Sequence, residues 1–149
     1  MTMKVNEIKV SYKEGIASPF WKKVQSSQDA AKILFEHWDK DTIELQESFK
    51  ILLLNNGNKV KGIYQLSTGG ITGTLVDLRL LFGVALKTAS VAVILGHSHP
   101  SGTLKPSGPD RELTAKIKKA GELLDIRVLD HLIIVPSGDY YSFADNGLL

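Results

Sequence analysis

One stretch, Val91 to Asp110, constrains this chain more than any other: VAVILGHSHPSGTLKPSGPD. Its apolar, β-branched opening ends at Gly96, the pattern of a short strand buried on both faces. Alternate residues of a strand point to the same side, so His97 and His99 direct two imidazoles to one place just past its end. Pro100 cannot donate to a sheet ladder and should stop the strand. SGTLKPSGP is a turn-rich loop, and DRELTAKIKKAGELL then repeats with a helical period, setting Leu113, Ile117, Ala120 and Leu124 on one face. Asp110 falls in that helix's first turn and can swing back as a third ligand. Two neutral imidazoles and a carboxylate, with water in the fourth place, form a catalytic rather than a structural zinc set. Open sheets also place ligands at the carboxyl ends of their strands, where this loop emerges.

The same residues have plain structural uses. Ser107-Gly-Pro-Asp110 has the S-x-x-D form of a helix cap, which accounts for both residues without chemistry. An H-x-H pair in a strand is often two ordinary histidines. The convergence of both features on one loop favours a site. The two uses of Ser107 are compatible, because it can cap the helix while its hydroxyl faces a metal.

Composition narrows the chemistry. There is no cysteine, so disulfides, thiolate metal sites and the cysteine-ligated zinc of nucleobase deaminases are excluded. The net charge of +2 is too small to imply a nucleic-acid partner by itself. The cluster Lys116, Lys118, Lys119 reads as the solvated face of its helix. No apolar run approaches the roughly 20 residues of a membrane span, and MTMKVNEIKV shows no secretory signal. These features fit a soluble cytoplasmic protein with no membrane partner. The 149 residues suit a single domain, 1–149, without repeats or linker.

In chain order, Val5 to Tyr12 reads as a first strand, and Phe20 and Trp21 as anchors of a surface loop. Ser26 or Ser27 caps a helix running to about Trp38, on which His37 is a surface residue. Glu47 to Asn55 is a second strand, Asn56-Gly57 a hairpin signal, and Lys59 to Leu66 its antiparallel partner. The glycine-rich loop Ser67 to Gly73 lacks the lysine of a P-loop. Thr74 and Asp77 form a possible capping box for a helix to about Ala89, with Leu78, Leu81, Phe82, Ala85 and Leu86 as its stripe. Arg127 to Val135 is a strand containing Asp130-His131, Tyr140 to Phe143 a short strand, and Ala144 to Leu149 a brief helical end. His131 is either a group that orients a ligand or a satisfied histidine within the sheet. This order implies an α/β domain with a layered mixed β-sheet flanked by helices. A proton carrier is needed beside an activated water, and Glu36, Glu44 and Glu47 are all candidates.

HSHPSGTLKPSGPD resembles the JAMM signature of the JAB/MPN metalloproteases: H-x-H-P, then six residues, then S-x-x-D. STGG…GT, Arg79 before Leu80-Leu81-Phe82, LDHLIIV and YYSF are similar to the RadC-like branch, which more often carries Asn where this chain has Ser98. The resemblance runs from about Gln46 to the C-terminus and leaves residues 1–45, a strand and a helix, outside it. It implies a cytidine-deaminase-like (JAB/MPN) fold and a zinc ion held by His97, His99 and Asp110. It selects Glu47, at the opening of ESFKILLLN, as the proton carrier, and Ser107 as donor to the developing oxyanion. The function it implies is zinc-dependent hydrolysis of a peptide or isopeptide bond in an unknown protein or peptide target. The alternatives are a DNA-repair accessory protein, as RadC-like proteins have been labelled, or a zinc-dependent nuclease. The isolated domain should bind DNA weakly.

Overall fold

The computed structural model describes residues 3–69 and 75–149. A five-stranded mixed sheet forms the middle layer, in the order β2-β1-β3-β4-β5. Its strands are β1 (Ser48–Leu54), β2 (Val60–Thr68), β3 (Ala92–Ser98), β4 (Arg127–Ile134) and β5 (Tyr140–Ser142). β1 pairs antiparallel with both β2 and β3, β3 runs parallel to β4, and β5 returns antiparallel on β4. Every residue of the central strand β3 is buried, which is why it reads as an unbroken apolar run rather than an alternating one.

The two faces carry separate cores. On one, helix α1 (Ser27–His37) sets Ala30, Ile33 and Leu34 against Leu52, Leu54, Ile94, Leu132 and Ile134. On the other, α2 (Leu78–Lys87) and α3 (Gly108–Leu123) cover Phe49, Ile51, Leu53, Val93 and Leu95. Leu34 lies so close to the backbone of Gly96 that a Cβ there would sit 2.7 Å from its methyl carbon. α1 is thereby seated directly behind the residue that precedes His97. Since β3 and β4 are parallel, α3 is the crossover between them, and its N-terminus falls at the carboxyl end of β3. The α/β architecture expected from the order of elements is the one observed, and it is consistent with a JAB/MPN-type fold.

Several local expectations change. Val5 to Tyr12 forms no strand: Val5, Ile8 and Val10 are all exposed, and the segment has no ladder partner among the described residues. An alternating pattern makes a strand only where an edge is offered to it. Phe20 is exposed in a 3-10 turn (Ser18–Phe20), and only Trp21 is partly covered, donating its indole N–H to the Ile16 carbonyl at 2.8 Å. The β1–β2 hairpin is present, but the left-handed residue is Asn58 (φ 58°) and not Gly57. A turn from the Asn55 carbonyl to the Asn58 N–H precedes it, so the loop is the three-residue kind with a bulge. Thr74 lies outside the described residues, and Asp77 caps α2 by accepting from the Arg79 N–H. Leu86 and Leu124 are exposed, and Gly121 takes the buried place that Leu124 was assigned on α3. Residues 144–147 are turns and 148–149 are irregular, so no helix forms at this end. No described helix is long and apolar enough to cross a membrane.

Candidate metal centre

The last residues of β3 and the first turn of α3 meet. His97 lies on the face shared with Phe49, whose ring stacks on the imidazole at 6.0 Å between centroids. His99 follows one residue beyond the strand, its N–H donated to the Ile134 carbonyl of β4. The chain then turns at Gly102, whose φ of +83° suits a residue without a Cβ. That turn brings the Thr103 carbonyl back to His99 Nδ1 at 2.7 Å. A carbonyl only accepts, so Nδ1 of His99 carries the hydrogen and a neutral ring leaves Nε2 with a free lone pair.

Ser107 caps α3 in a reciprocal capping box. Its Oγ accepts from the Asp110 N–H at 3.1 Å, and Asp110 Oδ2 accepts from the Ser107 N–H at 2.9 Å. The cap uses an oxygen lone pair of Ser107 and leaves its hydroxyl hydrogen. The box also aims the Asp110 carboxylate at the histidines, with Oδ1 3.3 Å from His97 Nε2 and Oδ2 3.3 Å from His99 Nε2. The two Nε2 atoms are 2.8 Å apart. The structural reading of S-x-x-D is realised, and the same box places the Asp110 carboxylate beside both histidines.

Electrostatics converge on the same point. Burial opposes ionisation of Asp110, yet hydrogen bonds from His97 and His99 hold its carboxyl well below the usual carboxylate range. Burial also works against a charged His99, but its hydrogen bonds to Asp110 and to the Thr103 carbonyl, with the negative charges of Asp110 and Glu47, raise its pKa. Both shifts call for positive charge among these atoms. Ligands about 2.0–2.2 Å from a tetrahedral metal lie about 3.3–3.5 Å from one another. The two His–Asp separations meet that spacing, and the His97–His99 pair needs only to spread slightly. All three ligand atoms lie within 4.8 Å of one another, nearly sealed from solvent at His97 and open on the Asp110 side. The donor set therefore fits a divalent metal ion.

The other predicted residues sort clearly. Glu47 stands one residue before β1, half-buried, and is the one of the three candidate glutamates whose charge reaches His99; Glu36 and Glu44 are exposed. His37 binds its own helix, through Nδ1 and the Ile33 carbonyl at 2.9 Å, and is no ligand. His131 is fully buried on β4, its Nε2 2.7 Å from His97 Nδ1, so it touches a ligand rather than the metal position. Burial holds its pKa well below the ordinary histidine value, and the charge of His97 adds to the effect. Sequence reasoning gave no role to Thr103 or Thr114. Thr103 acts through its backbone, which no side-chain pattern reveals. Thr114 does leave a signal, since it is one helical turn after Asp110 and shares its face.

A family model described as RadC-like JAB domain matches residues 24–148, nearly the whole described chain from α1 onward. The chain is 50% identical over 128 residues to a UPF0758 protein of Flavobacterium johnsoniae, covering 85% of this chain and 54% of that protein. A UPF0758 protein of Porphyromonas gingivalis is 47% identical over 104 residues, 70% of this chain and 46% of the relative. One of Chlorobaculum parvum is 36% identical over 129 residues, 86% and 56% respectively. The fold is metal-dependent-hydrolase-like, and His97, His99 and Asp110 are placed so that they could hold a metal ion. The chain belongs to the RadC-like JAB domain family. It spans about half the length of the curated relatives it matches.

Proposed function

We propose that this domain is a zinc-dependent metallohydrolase that cleaves a peptide or isopeptide bond. The observation that carries the reading is the convergence of His97 Nε2, His99 Nε2 and the Asp110 carboxylate on one point, within the electrostatic reach of Glu47. Nitrogen and oxygen donors with no cysteine suit zinc in a catalytic set with an open position. When bound there, zinc lowers the pKa of a coordinated water toward neutrality. Glu47 would be the proton carrier of such a site, taking a proton from the attacking water and returning it to the leaving amine. The Ser107 hydroxyl, free after capping, donates to the carbonyl oxygen as negative charge develops on it. Carbonyl chemistry is favoured over phosphoryl chemistry because the chain carries little to hold nucleic acid: its net charge is +2, and its basic residues are spread among acidic ones. The target is a protein or peptide of unknown identity, and the cysteine-free composition supports a cytoplasmic setting.

The test compares the wild-type domain, loaded with zinc, with Glu47→Gln on a proteome-derived peptide library read by mass spectrometry. New peptide termini should appear with the wild type and fall by about 10²-fold or more with Glu47→Gln, while zinc content stays stoichiometric. Loss of zinc from Glu47→Gln would make Glu47 a ligand. Sub-micromolar DNA binding at physiological salt, or DNA cleavage abolished by His99→Ala, would replace the peptidase reading with the nucleic-acid one.

A further inference from the structure

We propose that Thr114 and His131 are positioning residues that fix the tautomer of His97, leaving its Nε2 bare toward the metal position. The inference rests on reading His97, His99 and Asp110 as a metal centre, and it concerns how that centre is kept ready to bind.

The chain of contacts begins in α3. Thr114 Oγ1 lies 2.7 Å from the Asp110 carbonyl oxygen, its own helix one turn back. Two oxygens at that distance repel unless a hydrogen lies between them, and a carbonyl has none, so the hydroxyl supplies it. A hydroxyl has one hydrogen. Toward His131 Nδ1, 2.5 Å away, Thr114 then offers only a lone pair. Nδ1 of His131 must carry the hydrogen of that contact. The ring is wholly buried, so it is neutral and its Nε2 is an acceptor. His97 Nδ1, 2.7 Å from it, must be the donor. A neutral His97 with its hydrogen on Nδ1 has its lone pair on Nε2, facing His99 Nε2 and Asp110. The reverse direction leaves the contact between the Thr114 hydroxyl and the Asp110 carbonyl without a hydrogen. The chosen direction gives a hydrogen to each of the three buried links through Thr114, His131 and His97 Nδ1, and leaves the Nε2 contacts with His99 and Asp110 for a cation to fill.

The ring that carries the relay is fixed in place. Phe143 stacks on His131 at 4.5 Å with the planes 16° apart, and Phe49 meets it edge-on at 5.6 Å. The Thr103 carbonyl imposes the same tautomer on His99 independently. Asp110 therefore enters twice, its carboxylate as a ligand and its carbonyl as the end of the relay that sets another ligand. The first turn of α3 delivers both, so the third ligand and the tautomer of the first are fixed by one element.

The experiment is long-range ¹⁵N–¹H NMR of the imidazoles in the metal-free domain, with zinc affinity measured by chelator competition. In the wild type, His97 should be the Nδ1–H tautomer. Thr114→Val keeps the shape and removes the hydroxyl, so His131 can turn its hydrogen to Nε2 and force His97 into the Nε2–H form. The spectrum should shift accordingly and zinc affinity should fall about 10- to 100-fold. Thr114→Ser should restore both. His131→Phe, which keeps the aromatic packing, should lose affinity to a similar extent. An Nε2–H His97 in the wild-type spectrum overturns the proposal, as does Thr114→Val with an unchanged tautomer and affinity within twofold. A wild type that shows the Nδ1–H tautomer yet binds no zinc supports the relay and sinks the metal-centre reading instead.

Discussion

Two buried polar clusters meet β4 on opposite faces, one at Asp130 and the other through His131, and they are built on opposite rules. Asp130, on the α1 side, accepts from the His131 N–H at 2.7 Å, the Ala144 N–H at 3.0 Å and the Ser142 hydroxyl at 2.6 Å. Every contact pairs a donor with an acceptor, and the cluster is complete without a further atom. At the end of β3, by contrast, two Nε2 atoms lie 2.8 Å apart with a carboxylate 3.3 Å from each, and with the Nδ1–H tautomers proposed above they meet there as lone pairs. A satisfied network holds a chain together, and a converging set of lone pairs holds a cation. Burial and polarity are common to both clusters. On the tautomers proposed above, the direction of the hydrogens is what separates the two clusters.

The largest effect expected from breaking this contrast is on metal binding. Zinc at about 100 times its Kd should stabilise the wild-type domain by about 2.7 kcal/mol, or about 8 °C in Tm. His99→Ala and Asp110→Ala should abolish that increment while remaining folded, since each removes a ligand and relieves the crowding of acceptors. Calorimetry with and without zinc measures it. An undiminished increment in His99→Ala would show that the ion binds elsewhere.

Asp130→Ala attacks the satisfied cluster. It removes the acceptor of three hydrogen bonds to a buried carboxylate and should cost about 3 kcal/mol of stability. Zinc affinity should fall less than in His131→Phe, because Asp130 touches only the backbone N–H of His131 and not its ring. Chemical denaturation and chelator competition on the same samples separate the two effects. A variant of wild-type stability that has lost zinc would invert the comparison.

How much of this contrast could be read from the sequence depends on what each residue acts through. The convergence of the candidate ligands and the helix cap were legible, because H-x-H in a buried strand and S-x-x-D at a helix start are side-chain patterns tied to local geometry. The α/β layering followed from the glycine-ended apolar run and the helical repeat after it. The tautomer relay was not legible, since it needs β4 placed beside β3 in register, a long-range pairing of Leu95 with His131. The failed strand at Val5 to Tyr12 has the same origin. Its local pattern was adequate, but strand formation is decided by an available edge, which lies elsewhere in the chain.

Acidity sharpens the comparison from another side. Without metal, the depressed Asp110 contributes stability above its unfolded value, near 4, that is lost as pH falls through its lower folded value. His99, with its pKa raised, contributes stability fully present below about 6.5 and lost as pH rises through its folded value. The metal-free domain should therefore gain most from this pair between about pH 4 and 6.5. Zinc must displace the proton on His99, so its affinity should rise about tenfold per pH unit below the His99 pKa. The zinc-induced Tm increment should grow from about pH 5.5 to 7.5, and an increment independent of pH would remove His99 from the ligand set.

The smallest expected effect belongs to Ser98, which lies between the two candidate histidine ligands yet follows the other rule. Its side chain points to the opposite face of β3, where Oγ accepts the Ser48 N–H at 3.0 Å in a buried bond. That bond replaces the next rung of the β1–β3 ladder, which ends at the Phe49–His97 pair. Ser98→Ala leaves the Ser48 N–H buried without an acceptor, at a cost of about 1 kcal/mol and roughly 3 °C in Tm. Zinc affinity should stay within twofold, because neither imidazole uses the lost atom. The bond also anchors the residue after Glu47, so hydrolysis should fall several-fold as Glu47 gains freedom while zinc is retained. Such a split would show that proximity in sequence to the ligands does not decide which rule a residue obeys. A tenfold loss of zinc affinity in Ser98→Ala would mean that the two faces of β3 are not independent, and the contrast drawn across the sheet would fail at the strand that carries the site.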